Sequence, residues 1–386
     1  SDLASAVEAA RQSDVAILFC GSSSASLARD YNETNCGEGF DLADLALTGA
    51  QGKLIKAIHA TGKPVILVLV TGKPFSIAWE KKHIPAILIQ WYAGEQEGSS
   101  IANILFGKTN PSGHLTVSFP QSSGHLPAYY NHLPTDRGFY HKPGSYEQPG
   151  RDYVFSSPGP LWAFGHGLTY TTFNYTDMQI QQSVDSIKVF VTVKNTGRWA
   201  GKAVPQLYVR DVFSSISTPV KQLKAFNKVA LEPGETTRVP LHFAVQDLAL
   251  TDEAGKTMVE PGSFEIMIGD ASDHILLKQT ISIGQNMAVS PCSIKEQLPE
   301  EIGKGNIIHI KGVVRDVQAT PVDKVEIYST AQQQVIGVTD QNGKYFIDAP
   351  EDDVLVFCKS GYLDEKVNVD RKNDIQITIR NKMVFP

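Results

Sequence analysis

No stretch of the 386-residue chain reaches the roughly 18 consecutive apolar residues of a membrane-spanning helix. The opening residues, SDLASAVEAARQSD, are polar and lack the charged-then-apolar layout of a signal peptide. Basic runs are missing too: 35 Lys and Arg stand against 41 Asp and Glu, a formal net charge of −6. That balance gives no electrostatic footprint for nucleic acid, and the mild acidity names no partner. The four cysteines, Cys20, Cys36, Cys292 and Cys358, form no CxxC pair, which argues against zinc. Their scatter fits free thiols or one incidental disulfide, and Cys20 comes within reach of Cys36 if the segment between them folds back over its strand. Histidines 59, 83, 114, 125, 132, 141 and 166 show no ligand spacing, so no metal is expected. The Gly-Ser-Ser-Ser run at 21–24 lacks the GxxxxGK[ST] pattern, and no cofactor is expected either.

Hydrophobic patterning divides what is there into an α/β region followed by all-β regions. VAILFC (Val15 to Cys20), VILVLV (Val65 to Val70) and AILIQW (Ala86 to Trp91) are short, continuously apolar runs. Such runs suit parallel strands covered on both faces. Helices are expected from Asp2 to about Ser13, after Thr48, and within GEQEGSSIANILFG. Thr48 and Gln51 have the spacing of a capping box, and Gly62-Lys63-Pro64 ends the helix behind them. NPSG turns into HLTVSF. These elements describe a doubly wound α/β layer. No strand precedes the first helix, so the domain reads as missing its first strand or strands. A Pro-, Gly-, Tyr- and His-rich connector follows. Period-two strands such as SIKVFVTVKNTG, TTRVPLHFAV and GSFEIMIGD then indicate a β-sandwich. A Pro/Glu/Lys-rich linker leads to a second, smaller sandwich in which Asn342-Gly343 marks a hairpin turn. The hairpin also accounts for DQNGKY better than a calcium loop does.

The most unusual interval lies between Cys20 and Thr48. About 27 residues without periodicity stand where a βα loop usually takes about 2–6. The interval leaves the carboxyl end of a strand, where open α/β sheets bind ligands. Within it Glu38 sits between Gly37 and Gly39, with no bulky neighbours and a permissive backbone. A carboxylate so placed serves as a general acid or base, as a metal ligand, or as a solvated acid, and its residue type alone does not choose. Asp41 reads as a brace, because short acids bond nearby amides. Arg29 and Asp30 in SLARDY are weak substrate-contact candidates, with loop bracing as the plainer role.

The segments GEGFDLADLALTGAQ, TGKPFSIAW, ILIQWYAGEQEGSSIANILFGKTNPSGHLTVSFP and PLWAFGHGLTYTTFNY together resemble the second half of glycoside hydrolase family 3 enzymes, mostly β-glucosidases and β-xylosidases. KQLKAFNKVALEPGETTRVPL resembles the fibronectin type III-like domain that follows in many members. The last sandwich is similar to carboxypeptidase regulatory-like domains. The resemblance implies a retaining mechanism with two carboxyl groups about 5–5.5 Å apart. In the family the nucleophilic Asp comes from an N-terminal (β/α)8 barrel and the acid/base Glu from a loop of the α/β domain. Glu38, in GEGFD, falls on the acid/base position. Trp91, Glu95, Gly98, Trp162, His166 and Tyr170 match segments that imply architecture. Tyr140, Tyr146 and Tyr153 belong to the connector and are expected to pack, with stacking at an aglycone subsite as the alternative.

The expected organisation is therefore 1–119 α/β sandwich domain, 120–171 connector, 172–285 fibronectin type III-like sandwich, 286–305 linker and 306–386 terminal sandwich. The fold class is multidomain α/β plus all-β. The expected function is the C-terminal part of an exo-acting β-glycosidase on terminal β-linked glucose or xylose. Its expected partners are β-linked glycosides and the barrel, which the sequence does not contain. By resemblance the location is periplasmic or extracellular. The competing reading is a non-catalytic, carbohydrate-associated scaffold or binding module. A third is a chain that completes a separately encoded barrel.

Overall fold

Six apolar residues in succession are satisfied as a strand only when both faces are covered. In the computed structural model VILVLV is the central strand of a three-stranded parallel sheet. The structure describes residues 3–22, 42–134, 147, 156–253, 255–284, 287–288, 305–332, 334–359 and 362–380. It divides into two compact units, Ser1–Asp252 with Glu260–Gln285, and Glu253–Val259 with Asn286–Pro386.

The first unit begins with α1 (Leu3–Arg11), β1 (Ala16–Gly21), α2 (Gln51–His59), β2 (Val65–Val70), α3 (Ala78–His83), β3 (Ala86–Ile89) and α4 (Glu97–Leu105). The sheet order is β1-β2-β3, with Ala16 opposite Val65 and Ile66 opposite Ala86. Leu67, Val68 and Leu69 of β2 are wholly buried, so its continuous apolar pattern has the expected cause. The edge strand β1 departs from that expectation, since Ile17 and Phe19 are 40% and 60% exposed. Helix α3 was not expected; its Ala-Trp-Glu-Lys-Lys-His run is too short to show a period. HLTVSF is not a further strand of the sheet. Its backbone pairs instead with the connector: Leu115 N–H donates to His166 O and Phe119 N–H to Trp162 O, both at 2.8 Å. Phe119 is fully buried there, edge-on to Trp162 with centroids 5.6 Å apart.

The same unit continues through β4 (Phe173–Gln182), β5 (Ser186–Asn195), β6 (Gly201–Ala203), β7 (Gln206–Asp211), β8 (Gln222–Phe226), β9 (Val229–Leu231), β10 (Thr236–Ala244) and β11 (Leu250–Thr251). After β12 (Thr257–Val259), which belongs to the second unit, β13 (Gly262–Ala271) and β14 (His274–Ile283) complete it. Sheets β10-β5-β4 and β14-β13-β7-β8 supply the two layers of a sandwich. Alternation has the expected result: Ile187, Val189, Val191 and Val193 of β5 are all wholly buried. Each such side chain is worth about 1.5–3 kcal/mol of transfer free energy. Strand β4 was missed because its FNYTDMQIQQ sequence is largely polar and only Tyr175 is buried. The connector is held to the sandwich by aromatic contacts. Tyr130 stacks on Phe164 at 4.2 Å and meets Tyr208 edge-on, while its hydroxyl accepts from Leu223 N–H at 3.1 Å.

The second unit adds β15 (Met287–Ala288), β16 (Ile307–Arg315), β17 (Glu326–Ser329), β18 (Gln334–Val338), β19 (Lys344–Pro350), β20 (Val354–Cys358), β21 (Glu365–Asn368) and β22 (Ile377–Thr378). Its sheets are β19-β16-β22 and β18-β17-β20-β21, around a core that includes Ile310, Val314, Ile327, Ile347 and Phe357. Asn342-Gly343 does not close a hairpin as expected. The strands on either side enter different sheets, β18 pairing with β17 and β19 with β16. Gly343 has the positive φ of 70° that such a turn asks for, and Asp340 Oδ1 accepts from the Asn342 and Lys344 amides at 2.8 Å. The turn chemistry was read correctly, but a turn of this kind also makes a corner between layers. Asp353, 1% exposed, braces this unit by accepting from the Thr330 hydroxyl at 3.0 Å and from the Ala331 and Val354 amides at 2.9 and 2.7 Å.

Candidate functional site

Parallel strands end together, so the carboxyl ends of β1, β2 and β3 bring Gly21-Ser22, Val70-Thr71 and Gln90-Trp91-Tyr92 side by side. Gly21 has φ 145°, and a Cβ there would lie 1.8 Å from Val70 O. Only glycine fits this close approach of two strands. Thr71 is fully buried, donating to Lys73 O at 2.7 Å and accepting from Ser22 Oγ at 3.2 Å. The Tyr92 hydroxyl lies 2.8 Å from Ser22 Oγ and donates to Ser22 O at 3.1 Å. Trp91 takes φ 59°, a strained backbone for a bulky residue, and its ring packs 6.1 Å from Phe119. That turn is why β3 stops at Ile89 rather than running to Trp91. Gln90 Oε1 is buried beside this turn and has no hydrogen-bond donor among the described residues.

The long interval departs from Gly21 and rejoins the fold before α2, and one side chain joins the two ends. Gln51 Oε1 accepts from the Gly21 N–H at 2.6 Å, and Gln51 Nε2 donates to Gly21 O at 2.9 Å. A primary amide thus pairs with a backbone amide in both directions. This overturns the capping-box reading. The N-cap of α2 is Ala50, without a side-chain cap bond, and Gln51 donates to Thr48 O at 3.2 Å instead of accepting at a helix terminus. A Thr three residues before a Gln is compatible with either geometry, and the tertiary contact with Gly21 decides between them. Further along the returning limb, Leu45 N–H donates to Ser123 Oγ at 3.0 Å and Leu45 O accepts from Ser76 N–H at 2.8 Å.

Glu38, Arg29, Asp30 and Asp41 lie outside the described residues, as do Cys36, Tyr140, Tyr146 and Tyr153. The expected Cys20–Cys36 pairing does not form: Cys20 is a free, buried thiol. Burial, with Glu80 adding to it, pushes that thiol up to about 11. Cys358, buried in the second unit, is disulfide-bonded. Among the described residues no group of three or more His, Cys, Asp or Glu is arranged to hold a metal, and no helix is long and apolar enough to cross a membrane. Two histidines near the connector are held below the ordinary imidazole range, chiefly by burial. Lys228 also lowers His114, and Lys81 also lowers His166. His114 Nδ1 is buried and has no hydrogen-bond partner among the described residues.

Sequence reasoning missed both the Gln51–Gly21 pair and the Ser22, Thr71 and Tyr92 hydrogen bonds beside it. Small polar residues at strand ends carry no period, so only their convergence on one edge reveals them.

A parallel α/β layer with a long acid-bearing interval leaving the carboxyl end of its sheet, followed by an antiparallel sandwich, defines a mixed α/β-plus-β module. Comparison gives the class its family: residues 1–170 match the glycosyl hydrolase family 3 C-terminal domain, and residues 203–272 match the fibronectin type III-like domain. The chain carries the C-terminal domain of glycosyl hydrolase family 3 joined to its fibronectin type III-like domain. It is 40% identical over 283 residues to a β-xylosidase of Formosa agariphila, covering 72% of this chain and 36% of the relative. It is 39% identical over 275 residues to a periplasmic β-glucosidase of Salmonella typhimurium, covering 70% and 34%. In structure it resembles a β-glucosidase of Listeria innocua in complex with glucose, with TM-score 0.65 and 32% identity over 73% of this chain and 38% of that one. The chain thus spans little more than a third of the length of these relatives.

Proposed function

We propose that this chain is the acid/base-bearing part of a retaining exo-β-glycosidase acting on terminal β-linked glucose or xylose, with Glu38 as the general acid/base. The observation that supports it most is the Gln51–Gly21 pair. That pair closes the base of the very interval in which the sequence holds Glu38, at the ligand end of a parallel sheet. A fixed base with a glycine-flanked acid beyond it suits a carboxyl group that must reach a sugar held elsewhere. In the proposed reaction Glu38 protonates the glycosidic oxygen as the bond to the anomeric carbon breaks. It then takes a proton from the water that releases the sugar. The nucleophilic carboxylate belongs to a (β/α)8 barrel outside these 386 residues, so this chain alone does not turn over glycosides. Arg29 and Asp30 are weaker candidates for contacts with substrate.

The domain reading of 1–119, 120–171, 172–285, 286–305 and 306–386 belongs to the same proposal, with the last domain of carboxypeptidase regulatory-like type. A periplasmic or extracellular location follows the name of the Salmonella relative. The test is incubation of this chain with an aryl β-glucoside and an aryl β-xyloside. No turnover is expected; turnover abolished by Glu38→Gln would overturn the claim that the chain is inert alone. In the assembled enzyme Glu38→Gln should cost about 10²–10⁴-fold with poor leaving groups and far less with activated aryl ones. Equal losses for both would remove the acid role.

A further inference from the structure

One region of the first unit gathers apolar side chains that the fold leaves in water. Phe106 caps α4, Leu168 and Tyr170 lie in the connector before β4, Trp199 stands in the turn between β5 and β6, and Phe226 ends β8. They are 76%, 76%, 48%, 65% and 64% exposed. Hydrogen bonds tie their segments together around Asn110. Its Oδ1 accepts from the Thr169 hydroxyl and the Tyr170 N–H, both at 2.7 Å, and its Nδ2 donates to Ala200 O at 2.9 Å. The Tyr170 hydroxyl donates to Ile104 O at 2.8 Å, and Thr196 N–H donates to Thr172 O at the same distance. Lys228 brings in the last segment by donating to Ser112 Oγ at 3.4 Å, and β9 pairs Ala230 with Lys202 of β6.

Charge in this region runs against that of the whole. The converging stretches 105–113, 167–172, 196–203 and 226–230 hold Lys108, Arg198, Lys202 and Lys228 and no acid, in a chain of formal net charge −6. All of these cations are exposed, and none has an ion pair among the described residues. Glu232 and Glu235 follow in the next turn, where the Glu235 carboxylate accepts from the Glu232 N–H at 2.7 Å.

Exposed apolar residues scattered singly need no explanation, but several drawn together do. A protein partner would call for a dry apolar centre with the charges moved out to its rim. Here the two kinds are interleaved: Lys108 follows Phe106 by two residues, Arg198 directly precedes Trp199, and Lys228 follows Phe226 by two. A bilayer surface takes both kinds at once. Aromatic and leucine side chains settle at the boundary of headgroups and acyl chains, while lysine and arginine reach anionic headgroups. The strength of such binding follows the apolar area inserted plus the attraction to anionic lipid.

We propose that this region attaches the chain to the surface of an anionic lipid bilayer, its apolar tips entering the headgroup layer and its cations meeting the lipid phosphates. Attachment is peripheral, by side-chain insertion rather than by a membrane-crossing helix. Since the chain as a whole is acidic, general charge attraction does not account for such binding. The surface shares no residue with the proposed glycosidase site, so each reading can fail while the other stands.

The experiment is co-sedimentation of the whole chain with vesicles of phosphatidylcholine alone and of equal parts phosphatidylcholine and phosphatidylglycerol. Binding to the mixed vesicles is expected, at least tenfold weaker on phosphatidylcholine alone and weakened by added salt. The double variant Phe106→Ser, Trp199→Ser should lose at least tenfold in affinity with an unchanged unfolding midpoint, because both rings are already mostly in water. The double variant Lys108→Glu, Lys202→Glu should lose as much. No binding to the mixed vesicles, equal binding to both kinds, or full binding by either double variant would each overturn the proposal. A loss confined to the lysine variant would assign the region to soluble polyanions instead.

Discussion

The carboxyl end of the parallel sheet and the outer face of β16 and β19 are both rich in aromatic and amide side chains, yet they are built in opposite ways. At the sheet end Trp91 turns its ring in among core residues, and Gln51 uses both ends of its amide on Gly21. On the second unit Phe346 turns outward, and the Gln332 and Gln334 amides border an open depression. The first arrangement fixes backbone, as expected where a separate group must be held in position for chemistry. The second leaves Phe346 largely in water beside that depression. Residue types are nearly shared between the two, and the amides are hydrogen-bonded in both; what differs is whether the aromatic ring turns into the core or out into water.

That difference can be broken most severely at Gly21. Gly21→Ala drives a methyl group into Val70 O and should cost about 3 kcal/mol or more, read as a lowered denaturant midpoint with unchanged slope. Next comes Gln51→Leu, which strips two hydrogen bonds from a part-buried backbone unit and should cost about 1–2 kcal/mol. Hydrogen exchange should quicken at the Gly21 amide and leave β2 protected. Protection unchanged at Gly21 would show that the loop base is held by other contacts. Phe346→Ala, by contrast, should leave stability within about 0.5 kcal/mol of the parent, because the side chain is mostly in water already.

A gentler probe of the first unit is pH. His114 and His166 are held below the ordinary imidazole range by burial, so the folded chain releases protons that the unfolded chain retains. Stability is then full above the unfolded histidine value of about 6.5 and falls as the pH drops below it. The titratable groups that bear on His114 are Lys228, Asp270 and His166, and those that bear on His166 are Asp273, Lys81 and Asp270. The thermal midpoint should fall between pH 7 and pH 5, and the double variant His114→Gln, His166→Gln should flatten that fall. An equally steep decline in the variant would assign the acid sensitivity to other groups.

Much of the scaffold was legible beforehand because burial writes itself into periodicity. VILVLV forms β2 over the whole of Val65–Val70, and the alternation in SIKVFVTVKN marks β5 with its buried Val189, Val191 and Val193. Where burial was lopsided, the pattern weakened. Strand β4 has one buried aromatic and escaped notice, and α3 is too short for a helical period. The candidate site was legible only as a place: an over-long interval after β1 and a glycine-flanked acid within it. Its fastening was not, since Gln51 looks the same in a capping box as in a pair with a distant glycine. Asn342-Gly343 taught the same lesson in the second unit, where one turn geometry serves a hairpin and a corner alike.

The amino-acid sequence by itself determined which segments are apolar on one face or two, where turns demand glycine, and how the acid at position 38 is flanked. Those properties are local, set by side-chain chemistry and backbone freedom within a few residues. Only the tertiary structure decided that Gln51 reaches Gly21, that Trp91 turns inward while Phe346 turns outward, and that β18 and β19 part into separate sheets. Each of those outcomes depends on which chain segment, however distant in sequence, competes for the same hydrogen bond or the same buried volume.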